Sequence, residues 1–65
     1  MEPREKGERY ARIFRKAGVF LGKGNIARAI ETLKQGVTLA REQGDLKMAE
    51  RFDAEIRRAS EEPPS

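Results

Sequence analysis

Two glycine-led turns, Gly24-Asn25 and Gly44-Asp45, stand 20 residues apart in a 65-residue chain and constrain it more than any other feature. Glycine accepts the left-handed backbone that closes a helix, and the Asn or Asp beside it receives a free backbone N–H of the helix that follows. Each pair therefore reads as a stop followed by a start. The three prolines, Pro3, Pro63 and Pro64, lie near the ends, so the length between them is free to be helical. The apolar spacing agrees. Tyr10, Ile13, Phe14, Ala17, Phe20 and Leu21 form the stripe of an amphipathic helix over 9–23. A second helix over 26–42 carries Ile26, Ala29, Ile30, Leu33, Val37 and Ala40 on one face. Thr32, Gly36 and Leu39 make a narrower ridge beside it, and a helix with two packing faces belongs between two neighbours. A third helix over 46–59 gathers Met48, Ala49, Phe52, Ile56 and Ala59 on one side, with Asp53 and Arg57 at the favourable i, i+4 order on the other.

Residues 1–8 read as an extension, frayed or adding a turn from Pro3, and 60–65 (Ser-Glu-Glu-Pro-Pro-Ser) as a disordered tail. Loops this short make the helices sequential neighbours. The expected fold is all-α: a three-helix, up-down-up domain over 9–59. Such a chain is small for a stable core, because a domain of this size buries only roughly 60% of the surface its unfolded form exposes. It has neither Cys nor His, which excludes disulfides, thiolate zinc sites and the commonest metal ligand. Good helix packing or association with another chain is left to stabilise it, so length alone makes a homo-oligomer one of two expectations. No apolar run approaches the roughly 20 residues of a membrane span, and the N-terminal MEPREKGER has no hydrophobic signal core. A charge-rich, cysteine-free chain suits the cytoplasm.

With helices and turns placed, residues 10–43 resemble one tetratricopeptide repeat. Ile13 stands at the family's early large apolar place. Ala17 takes the place of the small residue at which the two helices of the repeat approach, and Phe20 that of the aromatic one turn later. Gly24-Asn25 is similar to the family's turn, Ile26 to the large residue after it, and Ala29 to its most characteristic small residue, followed by Ile30. Leu33 sits where a large side chain is usual and Gly36 where a small one is expected. The sequence departs from the pattern at Lys16, usually Leu, and in lacking the Pro that often ends the repeat. The resemblance implies a helical hairpin plus a capping helix that binds other proteins. The family's concave groove then falls to Ala11, Phe14, Gly18 and Leu21, with Arg15 at its edge. A stack of such repeats usually needs about three for stability. The chain also resembles the microtubule-interacting-and-transport domain, a three-helix bundle whose third helix offers a groove to partner helices. Arg57, Arg58 and Ala59 fall near that family's basic-Ala ending.

Catalysis is not expected. Without His or Cys there is no ready base or nucleophile, and Glu31, Glu42, Asp45, Glu50, Asp53 and Glu55 are spread among basic residues. Gly22-Lys23-Gly24-Asn25 lacks phosphate-loop spacing and follows a helix rather than a strand. No cofactor or metal site is expected.

Charge is less even. From Arg9 to Ile30 there are six basic residues and no acid, while residues 1–8 carry −1 and 31–65 carry −2, so this block supplies the whole net charge of +3. Arg9, Arg12, Lys16 and Lys23 share one helical stripe, which reads either as a solvated face or as a docking surface for an acidic protein or nucleic acid. Nucleic acid is the weaker form, because one Tyr and three Phe, mostly on core spacing, leave no stacking platform. On the other flank Ala11, Gly18 and Gly22 align at i, i+7, i+11 beside Phe14 and Leu21. That face packs either the third helix or a second copy of the chain, and the copy is favoured since small residues permit close approach. An excerpt from a longer repeat array is a third reading, against which the charged ends and the Pro-Pro tail speak.

Overall fold

The computed structural model describes residues 3–61, with side chains from Gly7 onward. Within that range the chain forms three α-helices: α1 (Pro3–Gly22), α2 (Ile26–Glu42) and α3 (Leu46–Glu61). The middle helix packs on both others, giving the all-α, up-down-up arrangement. Both turns have the same construction. Gly24 and Gly44 adopt φ of 77° and 71°, where any side chain would be strained. The residue after each glycine sends its N–H back to a carbonyl in the preceding helix, Asn25 to Phe20 at 2.8 Å and Asp45 to Ala40 at 2.8 Å. The glycines themselves donate to Leu21 and Arg41, both at 3.0 Å.

The two side-chain caps also correspond. The Arg28 N–H donates to Asn25 Oδ1 at 3.3 Å, and the Met48 N–H donates to Asp45 Oδ1 at 3.3 Å. Asn25→Ala and Asp45→Ala should each lower stability by about 1 kcal/mol in urea denaturation. An unchanged midpoint in both would show that the glycines alone set the turns.

One boundary differs from the sequence reading and another is decided between its alternatives. Helix α1 starts at Pro3, so the extension is helical rather than frayed from that residue, since Pro has the φ of a first helical turn and its missing N–H is not needed there. Helix α3 runs through Ser60 to Glu61, because a proline at 63 disfavours helical backbone only at the residue before it. Residues 1–2 of the expected extension and 62–65 of the expected tail lie outside the described residues.

The core is centred on Phe52, which is 0% exposed. The Phe14 ring stacks on it at 4.4 Å and 15°, and Tyr10 meets it edge-on at 5.8 Å and 65°. These rings carry α1 across to α3. Leu33, Val37 and Ala40 line α2 beneath them. Ala29 and Ala49 hold the same place after their respective turns and are both buried. Asp53 does not pair with Arg57 as its spacing suggests, but reaches Arg41 of α2 at 4.0 Å. With both side chains about half exposed or more, that pair contributes only about 0–1 kcal/mol.

Candidate functional site

Both candidate surfaces lie on α1, on opposite flanks of its buried seam. Tyr10 and Ala17 are buried along that seam, and Ile13, Phe14 and Phe20 are half-buried. Because residues advance by about 100° around a helix, the flanks face different directions.

One flank carries Ala11, Arg15, Gly18 and Gly22, all exposed. No neighbouring atom lies within 4 Å of where a Cβ would stand at Gly18 or Gly22. Apolar side chains border these small residues: Val19 is 56% exposed and Leu21 37%. Phe14 does not share this openness. One contact is its stack on Phe52, and the guanidinium carbon of Arg51 lies 5.5 Å from its ring centroid. Of the six residues expected to meet a partner (Ala11, Phe14, Arg15, Gly18, Leu21 and Gly22), Phe14 is thus engaged with α3 of the same chain. The others remain on the surface. Arg51 is the member that sequence reasoning missed, since no periodicity within α1 points to a residue on α3.

The other flank carries the basic stripe. Arg9, Arg12 and Lys16 line one wall of an open cleft of about 380 Å³ between α1 and α2, with Ile13 beside them. Thr32, Gln35 and Leu39 of α2 form the facing wall. The Thr32 hydroxyl donates to the Arg28 carbonyl at 2.9 Å, so its hydrogen is directed into the helix. Lys23 is not part of this cleft. It lies in the turn, where its backbone N–H is bonded to the carbonyls of Val19 and Phe20. The structure therefore brings three of the four stripe residues together and pairs them with a wall that the stripe alone does not disclose.

Among the described residues no three carboxylates converge in a way that could hold a metal ion. No described helix is long and apolar enough to cross a membrane. Comparison with protein-family models, curated proteins and solved structures gives no match.

Proposed function

We propose that this chain is a non-catalytic protein–protein interaction module of tetratricopeptide-like architecture, and that it self-associates through α1. One observation carries the reading: α1 is covered on one side, while its opposite face of Ala11, Gly18, Val19 and Gly22 stands open. Small residues allow a second helix to approach closely, and the neighbouring Val19 and Leu21 supply apolar area for it to cover. The modest core of a 65-residue chain gives such burial a thermodynamic purpose.

Mass in solution, measured by sedimentation equilibrium over a range of concentrations, tests this reading. The wild-type chain should be an oligomer and Gly18→Glu a monomer. Because the space at Gly18 is open and Glu favours helix over Gly by about 0.5–1 kcal/mol, the variant should keep its helical content. A wild-type chain that stays monomeric at every concentration overturns self-association. The face would then be an open groove for a partner peptide or helix.

A second reading, a small basic nucleic-acid-binding protein, draws on the gathering of Arg9, Arg12 and Lys16. It requires binding to DNA or RNA that survives physiological salt, because phosphate contacts weaken steeply as salt rises.

A further inference from the structure

We infer that the cleft between α1 and α2 docks an acidic, amphipathic segment of a partner protein, its carboxylates meeting Arg9, Arg12 and Lys16 and its apolar side chains resting on Ile13 and Leu39. This goes beyond self-association, which uses the opposite flank of α1.

The three cations follow one another at i, i+3 and i+7, within about 10 Å along the helix at 1.5 Å per residue. None of them is ion-paired among the described residues. The acids Asp53 and Glu55 pair elsewhere, with Arg41 and Arg58. Like charges at i, i+3 and i, i+4 repel; Glu8, one turn before Arg12, offsets part of this, and a partner's carboxylates would relieve the rest.

Apolar surface lies between the charges. Ile13 and Leu39 are half-buried, so each still exposes apolar surface inside the cleft. A bare anion gains nothing from covering that surface, whereas an amphipathic segment covers it and excludes water from the ion pairs around it. Exposed Gln35 adds an amide on the facing wall that can both donate and accept hydrogen bonds. Nucleic acid fits less well. No aromatic side chain among the described residues lines the cleft, and Tyr10, Phe14 and Phe52 are committed to one another. A single strand would find cations without a stacking surface.

The experiment is a titration of the full chain at physiological ionic strength with three labelled probes. The first is a helical peptide of about 20 residues carrying Glu at i, i+3 and i+7 beside two Leu. The second replaces each Glu by Gln, and the third is a single-stranded DNA. The Glu peptide should bind, and the Gln peptide should bind about tenfold or more weaker. Arg12→Glu with Lys16→Glu should weaken the Glu peptide by about tenfold or more, and the neutral pair R12Q/K16Q should lose less. All four substitutions are at exposed positions, so circular dichroism and mass in solution should not change, which separates this result from failure of the self-association reading. Equal affinity for Glu and Gln peptides, tighter binding of the DNA, binding that survives the charge reversal, or no binding of the Glu peptide would each overturn the inference.

Discussion

Phe52→Ala is expected to leave the domain largely unfolded at room temperature. The ring is fully buried and is the point at which all three helices meet: Tyr10 and Phe14 reach it from α1, and Gly36 faces it from α2. Truncating a buried Phe to Ala typically costs about 3–5 kcal/mol, the sum of lost burial and the cavity left behind. At about 0.05–0.15 kcal/mol per residue, the whole domain has only about 3–10 kcal/mol to lose. That total includes the two aromatic pairs that disappear with the ring, each worth about 0.5–1.5 kcal/mol, which places the loss toward its upper end. Refilling the space is also difficult, since Phe14 and Tyr10 are fixed by their own backbone on a different helix. Far-UV circular dichroism during a thermal melt provides the measurement. The variant should show little helix and no cooperative transition, whereas Phe52→Leu, which keeps most of the volume, should retain a shifted one. A melt of the Ala variant within a few degrees of the wild type would mean that the core is not organised around this ring.

The centrality of Phe52 was only partly legible in the sequence. Its place on the inner face of the third helix followed from 3.6-residue spacing with Met48, Ala49 and Ile56. Its partners did not, because periodicity assigns a residue to a face and leaves open which atoms of another helix it meets. Turn chemistry carried more information. Gly24-Asn25 and Gly44-Asp45 set the positive φ, the backward N–H bonds and the caps within a few consecutive residues, so the layout they implied matches the observed one. The outer ends were less legible because helix length there depends on weak preferences. Pro3 is compatible with a helical first turn, and Ser60 and Glu61 lie just before the residue that proline restricts.

The candidate surfaces divide in the same way. The basic stripe and the small-residue flank are patterns within one helix, and both faces exist where spacing placed them, Phe14 and Lys23 aside. What spacing could not give is the context supplied by other helices. Arg51 approaches the Phe14 ring from α3, and Thr32, Gln35 and Leu39 turn three cations into one wall of a cleft. Thr32 and Leu39 already stood out as a second ridge on the middle helix. Only the packing of that ridge beside α1 connects it to the charges.

Packing between helices also decides what a methyl group does at Gly36. Within an exposed stretch of helix, Gly→Ala stabilises by about 0.5–1 kcal/mol, because glycine loses more backbone freedom on folding. Gly18 meets that description, with open space around it, so Gly18→Ala should raise the urea midpoint in dilute solution. Gly36→Ala should do the opposite. A Cβ there would stand 2.6 Å from Phe52 Cε1 and 2.7 Å from Cδ1 and Cζ, closer than such atoms can approach. The ring has little room to retreat, because Phe14 is stacked on it and the edge-on Tyr10 packs beside it. Relief therefore requires α2 and α3 to move apart, opening the contacts of Leu33, Val37 and Ala40, and overpacking of this kind costs about 1–3 kcal/mol. That exceeds the gain in helix propensity, so the net change should be a loss. Phe52→Leu supplies the control, since Leu has no rigid ring edge to meet the new methyl group. The double variant should lose less than the sum of the two single losses, and the difference measures the clash directly. If Gly36→Ala instead stabilises the chain as Gly18→Ala does, α2 and α3 stand further apart in solution than the contact at Phe52 requires.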